Sequence, residues 1–430
     1  MAHEEKVGVG RLAFYYALPM VSGGFVQFVL ANYVMKYATD VLYLAPALAG
    51  SLFAVFRLYD AVTDPLCGYL SDRSSRWGRS GFIGYGGALM AAGYFLLFVI
   101  PHVVGEGGIV RAWLFGVALW VLFTGLTMLY IPHYALGAEF SAKDQARFFG
   151  SRSVAENVGT FLGVLFVAMK NEAPVQTIYH EIVFSLLVFF VVFWPIRRLG
   201  GGLRGRFVEG SFFPSLGEVL RNRAGWGVLV ITFFSQLAAT AMLATNLYFC
   251  EYVLGKPMMG PIVAGLFLVM ATVSVPFWVG LISKEGYLRV WGGCLGLLVV
   301  GFALAWPVGR VYPSGVLYGV GSFIGFLAGA LLTIHPLVLA EVSTFFDKKG
   351  RSAIYFALFT FTNKAAMATG VFFVGMVLEL SGFSPGGNLS SRLEIGLRWL
   401  FAGLPLVSML IAFGVFFVQR SISGAAHQKE

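Results

Sequence analysis

Three charged residues lie close together in a stretch of the chain that is otherwise apolar. Arg57, Asp60 and Asp64 fall within FRLYDAVTDPLCGYL, residues 56–70. Positions i, i+3 and i+7 of an α-helix share one face, so the three side chains would project from one side of a helix. Two neighbouring carboxylates repel each other, and one arginine neutralises only one of them. The pattern therefore predicts a cation site, with a purely structural Arg57–Asp60 salt bridge as the alternative.

The residues around this pair suit a small hard cation. Such an ion takes several oxygen ligands. Thr63, next to Asp64, and a threonine of a neighbouring helix would add hydroxyl oxygens to the carboxylates of Asp60 and Asp64. A proton shared by the carboxylates is the other candidate. We therefore expect Na⁺ or H⁺ as the bound ion, with Na⁺ at Asp60 and Asp64, and no organic cofactor.

The composition places these charges in a membrane protein. The chain has 430 residues, of which 58% are hydrophobic and 12% are charged, whereas soluble domains carry about 25% charged residues. A charge at the centre of a lipid-facing helix costs at least ~2.5–3.5 kcal/mol. Three charges on one face must therefore point to the bundle interior or to water. We attribute the net charge of +9 to loops on the cytoplasmic side rather than to nucleic-acid binding.

The apolar runs are long and continuous, which indicates helices that cross a bilayer rather than barrel strands. We predict twelve spans, near residues 12–37, 43–70, 81–102, 110–137, 153–169, 177–196, 226–254, 259–283, 289–309, 314–339, 353–380 and 396–419.

The basic residues orient the spans. With both termini on one side, that side takes 21 of the 30 Lys and Arg residues and the other side takes 7. This bias predicts a multi-pass protein of the plasma membrane with both termini in the cytoplasm. A basic, glycine-rich connection at 201–223 separates six spans in residues 1–200 from six in residues 224–430. LGAEFSAKDQAR after span 4 and VLAEVSTFFDKKGR after span 10 are weakly similar, and two such halves are typical of transporters.

One further charge lies deep in the second half. Lys364 falls near the middle of FALFTFTNKAAMATGVFFVGMVLEL, residues 356–380. Charged residues inside a membrane usually mark a transport pathway. We expect Lys364 to approach an acid of the first half, either in the pathway or as a structural ion pair.

Other classes of function have little support in the sequence. It contains no phosphate-binding GxxxxGK[ST] loop, no HExxH motif and no Ser-His-Asp arrangement that we can identify. We therefore expect no enzymatic activity. A membrane sensor that does not transport is the alternative from another class. The expected partners are a small-molecule substrate and the lipid bilayer, and we expect a monomer.

The motifs resemble those of one transporter superfamily. GYLSDRSSR, residues 68–76, resembles the G-x-x-x-D-R-x-x-R loop between helices 2 and 3 of the major facilitator superfamily. YDAVTDPLCGYLSDRSSRWGR is similar to the pattern of its glycoside–pentoside–hexuronide cation symporters, the melibiose-permease-like group. The resemblance implies an all-α membrane protein with twelve helices in two pseudo-symmetric halves. It also implies symport of Na⁺ or H⁺ with a small organic solute, most simply a sugar or glycoside, by alternating access.

The resemblance also assigns roles to individual residues. Asp60, Thr63 and Asp64, with Thr127 of helix 4, would bind the cation. Residues of the substrate cavity and of the coupling path would be Gly24, Arg57, Tyr130, Tyr134, Arg152 and Lys364. A loop that locks one conformation would contain Gly68, Asp72, Arg73 and Arg76.

Two departures from the family bear on the substrate. Melibiose-type members carry acids where this chain has Gly24 and Tyr130, which implies a substrate other than melibiose. RSVAENVGTFLG, residues 152–163, is also similar to the sodium-dependent lysophosphatidylcholine symporters of the same fold. A lipid-like amphiphile is therefore the alternative to a sugar-like solute.

Overall fold

The computed structural model describes residues 9–73, 78–105, 108–137, 142–173, 177–199, 223–341 and 352–427. Within them the chain is built from α-helices. The helices up to Leu199 form one compact unit and those from Arg223 onward form another. The predicted connection at 201–223 lies outside the described residues, apart from its last residue, which begins a helix.

The first unit consists of six predicted spans. The first span is broken into three helices that follow one another directly. The helices of this unit are α1 (Val9–Ala17), α2 (Pro19–Asn32), α3 (Val34–Asp40), α4 (Pro46–Arg73), α5 (Gly78–Val103), α6 (Ile109–Gly137), α7 (Ala142–Glu172) and α8 (Ile178–Leu199).

The second unit also contains six predicted spans, two of which include a π-helical turn. Its α-helices are α9 (Arg223–Tyr248), α10 (Met259–Val273), α11 (Val275–Glu285), α12 (Tyr287–Ala305), α13 (Val316–Glu341), α14 (Ser352–Leu380), α15 (Ser391–Arg398) and α16 (Leu404–His427). The π-helical turns are Phe249–Val253 and Trp399–Gly403, and the rings of Phe249 and Phe401 stack at a centroid distance of 4.4 Å.

By length and composition, ten helical segments of the described residues can each cross a membrane, and there are eleven if the α10–α11 pair, bent by 43°, is counted as one span. The bend follows from Pro276, which has no N–H to bond the preceding turn. The second predicted span, in α4, is outside this set because its charged residues lower its mean hydropathy. Its 28 residues still extend about 42 Å, which exceeds the hydrocarbon core.

The first unit depends on close backbone contact between helices. A Cβ added to Gly159 of α7 would lie 1.9 Å from the carbonyl oxygen of Val21 in α2. A Cβ at Gly125 of α6 would lie 2.3 Å from the amide nitrogen of Met90 in α5. Small residues allow membrane helices to approach in this way, so these two glycines permit the close spacing of α2 with α7 and of α5 with α6.

Four basic residues that we assigned to the non-cytoplasmic side have bonding partners inside the units. Lys36, Arg111, Lys170 and Arg398 are all buried. Lys36 pairs with Asp40 at 2.6 Å, and Lys170 of α7 pairs with Glu181 of α8. Arg111 and Arg398 donate to backbone carbonyls at helix ends. Each of these four residues therefore has an acceptor within the fold, and their assignment to the non-cytoplasmic side stays a prediction.

Candidate cation and substrate site

Helix α4 carries Arg57, Asp60 and Asp64 into the interior of the first unit. All three side chains are buried, and Asp60 is only 1% exposed. The spacing of three and four residues places them on one face of α4, as the sequence predicts. The pairing that we considered as the structural alternative is present, since Arg57 Nη1 lies 3.1 Å from Asp60 Oδ2.

Two neighbours of Arg57 come from other helices. Its Nη2 donates to the side-chain oxygen of Gln27 in α2 at 3.4 Å. Its guanidinium also lies 5.3 Å from the ring centroid of Phe123 in α6, a separation at which a cation is attracted to an aromatic face. Sequence reasoning missed Gln27 and Phe123, because neither has a spacing relationship to the charged motif.

A threonine from α6 reaches the acidic pair. Thr127 Oγ1 donates to Asp60 Oδ1 at 2.5 Å. Its hydroxyl proton therefore points to the carboxylate, while its oxygen keeps lone pairs for another ligand. Thr63 donates within α4, to the carbonyl oxygens of Tyr59 and Asp60. Its oxygen can accept in the same way.

The carboxylate and hydroxyl oxygens of these residues are candidate ligands for a cation. The described residues contain no group of three or more His, Cys, Asp or Glu side chains that could hold a metal ion. Carboxylate and hydroxyl oxygens suit Na⁺ or a proton rather than a transition metal. The net charge of Arg57, Asp60 and Asp64 taken together is negative, which attracts a cation.

A second cluster of polar side chains joins α6 to α7. Arg152 Nη1 lies 3.1 Å from Glu156 Oε2, and the hydroxyl of Tyr130 donates to Glu156 Oε1 at 3.0 Å. The guanidinium of Arg152 stacks 3.6 Å from the ring centroid of Tyr134. Arg152 is buried, and its Nε and Nη2 have no hydrogen-bond partner within the described part of the chain.

The predicted cavity residues Tyr130, Tyr134 and Arg152 are thus together in space. Glu156 is the member of the cluster that sequence reasoning did not single out. Its spacing of four residues from Arg152 could have identified it, because that spacing places the two side chains on one face of a helix.

Gly24 contacts this cluster from α2. A Cβ at Gly24 would lie 2.1 Å from the carbonyl oxygen of Glu156. The same carbonyl accepts from Thr160 Oγ1 at 2.8 Å. Gly24 therefore has a packing reason to be small, and its role in a substrate cavity stays a prediction.

His133 binds locally next to the break in the first span. Its Nε2 lies 2.7 Å from the carbonyl oxygen of Tyr16, the Tyr16 hydroxyl donates to the His133 carbonyl at 3.2 Å, and the two rings stack. Because a carbonyl only accepts, Nε2 must carry the proton. The two hydrogen bonds and the stacked rings of Tyr16 and His133 join α1 to α6.

The remaining predicted residues are not part of these two clusters. Gly68 lies in the last third of α4, one turn before its end. The side chains of Asp72 and Arg73, and the whole of Arg76, lie outside what the structure describes, so the conformational lock stays a prediction. Lys364 is half-buried in α14 of the second unit, and its approach to an acid of the first unit also stays a prediction.

Comparison with known proteins decides the family. The family model described as "MFS/sugar transport protein" matches residues 15–420. The chain belongs to this family. It is a membrane transporter of the major facilitator superfamily, as the sequence motifs predict.

Curated relatives of this transporter cover most of its length. The glucuronide carrier protein homolog of Escherichia coli strain K12 is 24% identical, over 94% of this chain and 90% of the relative. The sodium-dependent lysophosphatidylcholine symporter 1-B of Danio rerio is also 24% identical, over 89% and 82%. The uncharacterized symporter YjmB of Bacillus subtilis strain 168 is 24% identical, over 88% and 85%.

Solved structures confirm the fold of the transporter. The nucleoside transporter NupG has a TM-score of 0.71 at 13% identity, covering 95% of this chain and 99% of its own. A bacterial homologue of the human lysosomal transporter Spinster has a TM-score of 0.69 at 15% identity, covering 96% of both chains. The predicted all-α major facilitator fold is therefore confirmed.

Proposed function

We propose that this transporter is a secondary active symporter that couples entry of Na⁺ or H⁺ to uptake of a small organic solute. The solute is a sugar or glycoside, and the protein acts as a monomer in the plasma membrane with both termini in the cytoplasm. The observation that carries the proposal is the burial of Asp60 and Asp64 on one face of α4, with a hydroxyl of α6 bonded to Asp60.

Burial of these carboxylates gives a physical reason for cation binding to be coupled to a change of conformation. A buried pair of like charges is unfavourable unless a cation or proton compensates it. Cation binding at Asp60, Asp64, Thr63 and Thr127 therefore favours the arrangement of α4 and α6 that brings the ligands together. Coupling then requires only that the occupied and empty sites prefer different conformations of the two halves.

The cluster on α6 and α7 supports a substrate site beside the cation site. Tyr134 is 48% exposed, and aromatic rings pack against the apolar faces of sugar rings. Two nitrogens of Arg152, Nε and Nη2, have no acceptor among the described residues, so their N–H groups can donate to a substrate. The curated relatives include proteins named for glucuronide and isoprimeverose, which supports a glycoside.

Uptake into proteoliposomes tests the proposal. Vesicles that contain the purified transporter receive an imposed Na⁺ or H⁺ gradient and a labelled pool of mixed glycosides. We expect accumulation above the equilibrium level with one gradient and collapse of accumulation when an ionophore dissipates it. Binding without gradient-dependent accumulation would instead favour a sensor on the same fold.

An apolar groove favours a lipid-like amphiphile as the second candidate substrate. The groove, of about 870 Å³, lies between the N-terminal halves of α4 and α6, and its lining includes Phe56, Tyr59, Trp113 and Trp120. Trp113 is 70% exposed. A groove of this composition accommodates an alkyl chain by burial of apolar surface.

A labelled pool of lysophospholipids in the same vesicles distinguishes the two substrates. Accumulation of the lysophospholipid pool alone would indicate that the groove holds the alkyl chain of the transported lipid. Accumulation of the glycoside pool alone would indicate that the groove contacts lipids of the bilayer and not the substrate.

A further inference from the structure

Of the two charged groups in the α6–α7 cluster, the carboxylate of Glu156 is the more exposed. The side chain of Glu156 is 30% exposed, whereas that of Arg152 is 5% exposed. Both carboxylate oxygens are held in place, Oε1 by the Tyr130 hydroxyl at 3.0 Å and Oε2 by Arg152 Nη1 at 3.1 Å. Each carboxylate oxygen can accept two hydrogen bonds, so each keeps one acceptor position for a ligand.

The backbone of Glu156 is fixed as firmly as its side chain. Its carbonyl oxygen lies against Gly24 of α2 and accepts from Thr160. A preorganised acceptor of this kind loses little conformational entropy when a ligand binds. Fixed geometry at both ends of the residue is what a specificity-determining group requires.

The charge balance of the cluster indicates the chemistry of its ligand. Arg152 neutralises Glu156, so the pair exerts little net attraction on an ion of either sign. An anion would be repelled by the exposed carboxylate, and an ammonium group would be repelled by the guanidinium beside it. A neutral hydroxyl group donates to the carboxylate without either penalty, and two adjacent hydroxyls match its two oxygens.

We propose that Glu156 binds the substrate directly and selects neutral solutes that carry a vicinal diol, each hydroxyl donating to one carboxylate oxygen. This inference rests on the proposed function, since it names the substrate class of the same site. It assigns recognition of hydroxyl groups to α7, through Glu156. The hydroxyl of Tyr130 is then a positioning group, which orients Glu156 and does not need to touch the substrate.

Equilibrium binding to the purified transporter tests this assignment. The probes are methyl glycosides of common hexoses and pentoses, together with deoxy analogues that lack one hydroxyl of the diol. The buffer contains sodium at mildly acidic pH, so that either coupling cation is present. A site that hydrogen-bonds a hydroxyl rejects an analogue without it. We expect at least one glycoside to bind, and its deoxy analogue to bind about 10- to 100-fold more weakly.

Variants separate recognition from folding. Glu156→Gln keeps the size of the side chain and replaces one acceptor by a donor, so we expect about 10- to 100-fold weaker glycoside binding. Tyr130→Phe should weaken binding less, by loss of orientation only. Glu285→Gln changes an exposed carboxylate of α11 and should bind as the wild type does. The elution volume and the thermal midpoint without ligand report whether each variant is folded.

Two results would overturn the inference. One is glycoside binding by folded Glu156→Gln at the wild-type affinity. The other is a wild-type protein that binds none of the methyl glycosides, including the case in which it binds lysophosphatidylcholine instead. Cation-driven uptake is a separate readout: if glycoside binding depends on Glu156 but no gradient drives accumulation, the proposed symport fails while this inference stands.

Discussion

The hydroxyl of Thr127 donates a 2.5 Å hydrogen bond to Oδ1 of Asp60, and this bond joins α6 to α4 at the charged part of the first unit. The other carboxylate oxygen of Asp60 pairs with Arg57. A cation bound beside Asp60 would therefore respond to the position of both helices. This relationship leads to a first prediction about Thr127.

Replacing Thr127 by valine keeps the shape of the side chain and removes its oxygen. The cation loses a ligand and Asp60 loses a donor, each worth about 1–2 kcal/mol. We expect the cation concentration for half-maximal uptake to rise at least tenfold, with little change in substrate affinity at saturating cation. Thr124→Val is the matched control, because Thr124, one turn earlier in α6, bonds Trp120 and Tyr59 and does not bond Asp60. Equal shifts in both variants would contradict the prediction.

The Arg57–Asp60 pair gives a second prediction. Removing one partner of a buried ion pair costs about 3–5 kcal/mol, whereas removing both costs much less. We expect Arg57→Gln to lower the thermal midpoint of the purified protein and the double variant Arg57→Gln, Asp60→Asn to recover most of the loss. Thermal unfolding of the four proteins in one detergent measures the coupling. Additive effects of the two substitutions would show that the pair contributes nothing of its own.

The third prediction concerns the buried ion pair Lys170–Glu181, which joins α7 to α8. Both side chains are 1% exposed, and the ammonium lies 5.0 Å from the ring centroid of Phe98. We expect Lys170→Met to lower the thermal midpoint and Lys170→Met with Glu181→Leu to lie near the wild type. Cation dependence of uptake should stay unchanged in the double variant. A loss of coupling there would mean that the pair does more than join α7 to α8.

Gly159 provides a fourth prediction, about packing. Its Cβ position is 1.9 Å from the Val21 carbonyl, so Gly159→Ala must push α2 away from α7. We expect a destabilisation above 2 kcal/mol, roughly the upper range for overpacking of a close contact. Gly84→Ala in α5 is the control, since its Cβ position has no atom within 4 Å and alanine favours a helix. Comparable thermal midpoints for the two variants would contradict the close contact.

Much of the fold could be predicted from the sequence. Continuous apolar runs indicate spans because a bilayer leaves few alternatives for the backbone. The spacing of Asp60 and Asp64 places them on one helix face, and the structure buries both. Helix extents were less predictable: α7 begins at Ala142, eleven residues before the span that we predicted. Hydropathy reports the part of a helix in lipid, and not the polar turns that continue beyond it.

The contacts between helices could not be predicted from one sequence. Gln27 reaches Arg57 from 30 residues away, and Glu156 meets Tyr130 from 26 residues away. Such contacts depend on how helices rotate and cross, which apolar periodicity does not determine in a helix that is apolar on every side. The same limit explains why Lys170 was predicted in a loop, although α8 supplies a buried carboxylate for it.

Direct cation binding to wild-type and Asp64→Asn protein tests the central claim. Radiolabelled sodium bound to the purified transporter measures Na⁺, and proton uptake on addition of substrate in unbuffered solution measures H⁺. We predict that the wild type gives one of these signals and that folded Asp64→Asn gives neither. Wild-type levels of sodium binding or proton uptake in folded Asp64→Asn would contradict the assignment of the coupling site to α4.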